Sequence, residues 1–294
     1  MEIKLKKNIS LKDYCTYKTG GHAKFFAEAS TVQEIIHLRD FAKVQGIPFL
    51  LLGGGTNVLF SDEGYPGLII LNKMTKIAIH GELVTAESGA SLAKMVMTAA
   101  QNNLGGISGL ANVPGTVGGA VYGNAGVPDV YISDVMTHAI VLPEDDDKPV
   151  IVSPDYFQFG YRDSKVKRNK DIILSATFKL SFEPALKIRA EINQYVKDRM
   201  AKQPLGSCCG SFFKNPGQFP SAGWLIEQSG CKGMQVGGAM VSPKHANFVM
   251  NIGNAKSSDI INLTVKVHRI VREKFNVELE PEVQIFPVSP FKIQ

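Results

Sequence analysis

Apolar and polar positions change their period several times along this chain. Residues 31–46, TVQEIIHLRDFAKVQG, set Val32, Ile35, Ile36 and Phe41 at helical spacing. Thr31 and Glu34 stand in capping-box positions and Gly46 supplies the stop. His37 lies off that stripe, as a surface histidine would. The run IPFLLL at 47–52 leads into GGG, which predicts a buried strand ending in a glycine turn. Ser91 to about Asn103 predicts a second helix with Leu92, Met95, Val96 and Ala99 on one face. Strand-like runs follow at 68–72, 82–86, 138–142 and 171–182. Residues 185–202 return to helical spacing through Leu186, Ile188, Ile192, Tyr195 and Val196. A long amphipathic helix is expected from Ser258 to about Phe275. VELEPEVQI at 277–285 then places Val277, Leu279, Val283 and Ile285 on one face of a closing strand.

Helices and strands mix here without a steady βαβ rhythm, so an α+β fold is favoured over a doubly wound parallel sheet. A major boundary is expected near 184–187. The 294 residues suffice for two or three compact units, and 44% apolar with 20% charged residues is ordinary globular composition. No apolar run approaches the ~18 residues of a membrane span, and MEIKLKKNIS lacks the apolar region of a signal peptide, so no membrane partner is expected. The net charge of +5 is dispersed apart from KLKK at 4–7 and KVKRNK at 165–170, with no aromatic ladder beside it. That argues against nucleic acid and suits a small anionic substrate. Cys15, Cys208, Cys209 and Cys231 show no CxxC or Cys/His metal spacing and are too few for a disulfide framework. No metal and a reducing cytoplasm are the expectations.

Two glycine-rich segments change the picture more. GGGTN spans Gly53–Asn57, and Gly105–Gly126 holds eight glycines in 22 residues. Glycine lets backbone N–H groups converge on an anion without Cβ obstruction. Neither segment is a Walker loop, and neither is GxGxxG opening a long helix. A phosphate-bearing ligand held by loops is therefore expected. A third segment, GSCCGSFFKNP at 206–216, offers Cys208, Cys209 and Ser211 as reactive groups. The cysteines lack a helix start and lack metal partners at useful spacing.

Taken in order, GGGTNVLFSDEGYPGLII, VPGTVGGAVYGNAG, YRDS, GSFFKNP, AGWLIEQSGCKGMQVGGAMVSPKHANFVMN and LEPEV resemble the UDP-N-acetylenolpyruvoylglucosamine reductases over nearly the whole chain. The glycine segments alone point only to the wider vanillyl-alcohol-oxidase class of FAD proteins. The resemblance implies a two-lobed FAD-binding domain of that class, in lobes 1–75 and 76–186. A C-terminal α+β substrate domain would follow at 187–294, its last strand returning toward the FAD site. It also implies an NADPH-dependent flavoenzyme of peptidoglycan synthesis, with FAD bound tightly but not covalently. Hydride from flavin N5 would reach C3 of the enolpyruvyl ether of a UDP-sugar, C2 would be protonated, and UDP-N-acetylmuramate would form. The chain looks like the shorter type, without the segment near 165–185 that carries a substrate-covering tyrosine.

On that resemblance Ser211 matches the proton donor to C2, Arg162 the cation facing the substrate carboxylate, and Glu282 the carboxylate of LEPEV. The spacing of 277–285 by itself puts Glu282 on the polar face with Glu278 and Glu280. Lys202, Asn215, Arg199, Lys244 and His245 fall on substrate-binding or cleft positions. The flavin set is Gly53, Gly54, Gly55, Thr56 and Asn57, with Pro114, Gly115, Thr116, Gly118, Gly119, Asn124 and Gly126. NADPH and the UDP-sugar are the expected partners, and a monomer is expected. Two alternatives stay open: an FAD-dependent alcohol or lactone oxidase of the same fold class, and a UDP-sugar binder without catalysis.

Overall fold

The computed structural model describes residues 4–287. The fold is mixed α and β, and the chain forms two compact units. One comprises Ala27–Gly54 and Ile69–Arg199; the other comprises Leu5–Phe26, Gly55–Leu68 and the chain from Met200 onward. These units do not follow the expected segments 1–75, 76–186 and 187–294. The strands His22–Ala29 and Tyr65–Asn72 each carry residues of both units, and the last division falls inside a helix, after Arg199. Sequence punctuation marks loops, whereas here the chain changes unit within regular elements.

The first unit is built on a five-stranded antiparallel sheet. Its order is Val150–Val152, Met136–Leu142, Ile172–Lys179, Leu83–Glu87, Ile77–His80. Ala139, Ala176 and Ala86 stand opposite one another in successive strands, all buried. Such a row of small side chains leaves room above the sheet for packed elements. Helix α1 (Val32–Val44) opens with the capping box of Thr31 and Glu34. Its buried residues are Ile35, Leu38, Arg39 and Ala42, so the expected stripe through Val32, Ile36 and Phe41 is displaced. The cause is Arg39, wholly buried, which donates to the carbonyls of Pro143 and Asp146 at 3.1 and 2.9 Å and pairs with Asp147. The strand Phe49–Leu52 buries only Leu52 and is not the buried strand expected.

Helix α2 (Leu92–Gln101) buries Leu92, Met95, Val96 and Ala99 as its spacing predicts, capped by Ser91. It packs on Leu83–Glu87, and α3 (Val117–Tyr122) packs on Ile172–Lys179. Short helices α4 (Ile132–Val135) and α5 (Val166–Asn169) follow. Helix α6 (Ala185–Lys202) buries Ile188 and Ile192, but Leu186, expected on the same stripe, is 81% exposed.

In the second unit Gln235–Val236, Ala239–Val241 and Val249–Asn251 form an antiparallel sheet. Helix α7 (Ala222–Gln228) precedes it, and α8 (Ser257–Phe275) packs on it through a face that buries Ile260, Leu263, Val267 and Val271. Gln284–Phe286 pairs parallel with Val58–Phe60. That strand is only three residues long, not the nine expected. Val277 and Leu279 are buried and Glu278 and Glu280 exposed, so the alternation is real. Pro281 has no N–H to give a ladder, and regular pairing begins only beyond it.

Candidate active site

In the first unit the two glycine segments meet. A Cβ on Gly53 would lie 2.5 Å from Thr116 Oγ1, so that approach requires glycine. Thr116 caps α3 by accepting from Gly119 N at 3.3 Å. The amides of Val117 and Gly118 turn inward, to Ala90 O and Ser88 O at 2.8 Å each. Gly54 and Gly119 are exposed, and a Cβ on Gly119 would meet only Thr116 Oγ1, at 3.5 Å. Bare backbone therefore flanks the Gly53–Thr116 contact on both sides. Such uncovered backbone lets a dinucleotide phosphate approach without Cβ obstruction, so these residues fit FAD by shape.

The YRDS turn is fastened to the end of the second segment by three side-chain bonds. Asn124 Nδ2 donates to Gly160 O at 3.0 Å, an Arg162 guanidinium N–H to Gly126 O at 2.8 Å, and Ser164 Oγ to Tyr122 O at 2.6 Å. Arg162 itself sits at φ 52°, in the left-handed region, between two mutual hydrogen bonds of Gly160 and Asp163. A non-glycine residue held there carries a conformational cost of order 1–3 kcal/mol, borne by the surrounding bonds. Lys167 Nζ donates to the Arg162 carbonyl at 2.5 Å, and the guanidinium lies 5.4 Å from the Tyr161 ring centroid. Arg162 and Gly126, drawn from different expected sets, thus touch. Asn124, expected at the flavin, uses both ends of its side chain internally, since its Oδ1 accepts from Ser133 N. A Cβ on Gly126 would overlap the Tyr131 ring.

In the second unit the residues after Gly55 serve another segment. A Cβ on Gly55 would overlap the Tyr14 carbonyl oxygen, and Gly55 O accepts from Thr16 N at 3.0 Å. Asn57 O accepts from Gln284 N at 3.0 Å, and its Nδ2 donates to Glu282 O at 3.0 Å. Glu282 is half-buried and stands beside the 211–214 strand. Its own N–H donates to Phe212 O at 2.8 Å, and Lys214 N donates to Glu280 O at 2.8 Å. On the opposite edge Ser211 bridges to Phe248, and Phe212 N donates to Asn247 O at 2.7 Å. Ser211 is half-buried, and its hydroxyl makes no hydrogen bond to any described residue. Ser211 is therefore carried on an extended segment bonded on both edges, beside the segment that carries Glu282.

The remaining expected residues divide. Asn215 Oδ1 accepts from Ala222 N at the start of α7, leaving its amide N–H groups to act outward. Lys202 is exposed at the end of α6; Arg199 lies one turn earlier and half-buried, in the first unit. Lys244 donates to Met200 O at 2.6 Å. The His245 ring lies against that of Phe248 at a tilt of 60°, its Nδ1 accepts from Asn247 N at 3.3 Å, and burial lowers its pKa. Cys209 is buried, its thiol donating to Val58 O at 3.3 Å, and burial pushes its pKa well up. All four cysteines are free thiols. Ser164 and Asn247, both buried, were missed: a serine and an asparagine carry no sequence signal until their partners are known. A polar cavity of about 560 Å³ in this unit is lined by Lys12, Lys18, Asp62 and Lys256, among others, and by none of the expected site residues. Among the described residues no helix is long and apolar enough to cross a membrane, and no cluster of three His, Cys, Asp or Glu could hold a metal.

Residues 23–144 match a family described as FAD binding domain, and residues 180–286 match one described as UDP-N-acetylenolpyruvoylglucosamine reductase, C-terminal domain. Together they make this an FAD-binding oxidoreductase fold with a dedicated C-terminal partner domain. A UDP-N-acetylenolpyruvoylglucosamine reductase of Caldicellulosiruptor bescii is 40% identical over 288 residues, covering 96% of this chain and 90% of the relative. One from Latilactobacillus sakei is 39% identical over 96% of this chain and 93% of its own length. The crystal structure of the enzyme from Thermus caldophilus matches with a TM-score of 0.83 at 31% identity, covering 98% of this chain and all of that one. The chain belongs to the UDP-N-acetylenolpyruvoylglucosamine reductase family.

Proposed function

We propose that this protein reduces the enolpyruvyl ether of a UDP-N-acetylglucosamine derivative to UDP-N-acetylmuramate, in the cytoplasm and as a monomer. Bound FAD, once reduced by NADPH, supplies the hydride that C3 of the ether receives. The exposed backbone at Gly54 and Gly119 takes the FAD phosphates, and Thr56, Asn57, Pro114 and Gly115 extend that contact. The chain's own work is on the charge and the proton. Adding hydride at C3 places negative charge on C2 and its carboxylate, and Arg162 offers a permanent cation with a donor fork for it. Ser211 Oγ–H protonates C2, and the alkoxide left behind regains a proton from solvent, relayed through the Glu282 carboxyl beside that segment. Lys202, Arg199 and the free amide of Asn215 hold the UDP-sugar.

The observation that carries this reading is the Ser211 hydroxyl, which bonds no described residue and sits on an extended segment held on both edges. A serine placed for structure would use its hydroxyl; one that delivers a proton must keep it for the substrate. The test is anaerobic stopped-flow. Enzyme reduced by NADPH is mixed with the enolpyruvyl UDP-sugar, and return of the oxidised flavin spectrum is followed. Rapid reoxidation by that substrate, with no reduction of the oxidised flavin by simple alcohols or lactones, supports the reductase. Protein purified without flavin that cannot be reconstituted with FAD would sink it.

A further inference from the structure

We propose that Asn247 is a positioning residue: its side chain fixes the register of the extended segment 211–214 and so the place of the Ser211 hydroxyl. The proposal rests on the proton-delivery role given to Ser211 above. Asn247 is 3% exposed. Its Oδ1 accepts from Phe213 N at 2.9 Å, and its Nδ2 donates to Phe213 O at 2.8 Å. Its main-chain carbonyl accepts from Phe212 N at 2.7 Å. One residue thus serves three backbone groups of the strand that carries Ser211.

The local chain explains why a side chain is needed. Ser242 Oγ accepts from the amides of Lys244 and His245, and Phe248 N donates to His245 O at 3.0 Å, which folds 242–248 into a tight turn. The chain meets Ser211 through a single bridge at Phe248. Beyond it the Asn247 amide takes the place of a neighbouring peptide, presenting an acceptor to Phe213 N and a donor to Phe213 O.

Register matters here because strand side chains alternate faces. A slip of one residue would replace Ser211 by Gly210 or Phe212 at the substrate side. On the far edge Phe212 O accepts from Glu282 N, so the same slip would also change the spacing between Ser211 and Glu282. A buried amide bonded twice to one residue tolerates no such slip without leaving donor and acceptor unpaired.

The test compares holoenzymes carrying Asn247→Leu, which keeps the size and loses both bonds, and Asn247→Asp, which loses only the donor. With NADPH-reduced enzyme, reoxidation by the enolpyruvyl UDP-sugar should slow by roughly 10²-fold for the leucine variant. The aspartate variant should fall between leucine and wild type and stands in if the leucine variant does not fold. The loss should fall on the limiting rate rather than on the substrate concentration at half-saturation. In a Ser211→Ala background Asn247→Leu should cost almost nothing more, since residues acting through one another are not additive. Hydrogen exchange of the 208–216 peptide should speed up in the variant without substrate present. A leucine variant as fast as wild type, or one that costs the same factor with and without Ser211, overturns the proposal. Wild-type reduced enzyme that the substrate does not reoxidise overturns the role of Ser211 itself, a result separate from either.

Discussion

The turn that carries Arg162 and the strand that carries Ser211 are held by opposite devices. Around Arg162, three side chains (Asn124, Arg162 and Ser164) each reach a backbone carbonyl and fasten residues 160–164 to 122–126. Around Ser211, backbone bonds do most of the holding on both edges, and the serine hydroxyl stays unspent. On the roles proposed for the two residues, the difference follows from what each group would have to do. A permanent charge acts over several ångströms, so its turn can be tied to the glycine segment and still serve. A proton donor must come within about 3 Å of the carbon it protonates, so its strand needs a register, not a tether.

Removing the hydroxyl breaks the comparison most sharply. Ser211→Ala should slow substrate-driven flavin reoxidation by ~10²–10⁴, about 3–5 kcal/mol of barrier, while NADPH still reduces the flavin. Stopped-flow on the two half-reactions separates these. Equal loss in both would make Ser211 a structural residue and the two regions alike. On the other side, Ser164→Ala removes a bond from a wholly buried hydroxyl and leaves Tyr122 O without it. A loss of about 1–3 kcal/mol in folding stability is expected, read as a lower urea midpoint. Substrate half-saturation should rise as the Arg162 turn loosens, with the chemical rate less affected.

Much of the scaffold for both regions was legible in the sequence. α2 and α8 have their expected spans within a residue or two, because caps and a 3.6-residue stripe are local facts. Arg39 was not legible: its charge reads as surface until Pro143, Asp146 and Asp147, more than 100 residues away, appear beside it. Nor was the shortening of the last strand, since Pro281 and its neighbours pair with residues 212–214, far earlier in the chain. The candidate reactive residues lie in motifs legible from the sequence. The residues that hold them, Ser164 and Asn247, have meaning only in three dimensions.

The glycines sharpen the contrast between backbone that packs and backbone that faces a ligand. Gly119 lies inside α3, and a Cβ there would make only an ordinary contact, 3.5 Å from Thr116 Oγ1. Gly119→Ala should therefore raise the stability of the flavin-free protein by up to about 1 kcal/mol, from helix propensity alone. The same methyl should weaken FAD by about tenfold, or 1.4 kcal/mol, if bare backbone there meets the cofactor. Thermal melting without flavin and a flavin titration measure the two signs independently. Gly55→Ala is the control with the other outcome, since its methyl would overlap Tyr14 O at φ 63° and should lower stability with or without flavin. An alanine at 119 that leaves flavin binding unchanged would move the cofactor away from α3.

The smallest effect belongs to the conspicuous residues. Cys208→Ala and Cys209→Ala should leave turnover within a few-fold of wild type, since neither thiol is placed on the reaction. Cys209 should show itself in pH dependence instead. Burial raises its pKa, with hydrogen bonds to Thr16 and Val58 O opposing, so the fold favours the neutral thiol. An unfolded thiol titrates near 8.5, so this preference contributes fully below about pH 8.5 and is lost as pH rises above it. Cys15 and Tyr17, in the same unit, are shifted upward by burial too and add to the alkaline fall. Urea midpoints at about pH 7 and about pH 10 should therefore differ less in Cys209→Ala than in wild type. An unchanged alkaline slope would mean that water reaches Cys209 more freely than its packing against Val58 and Thr16 allows.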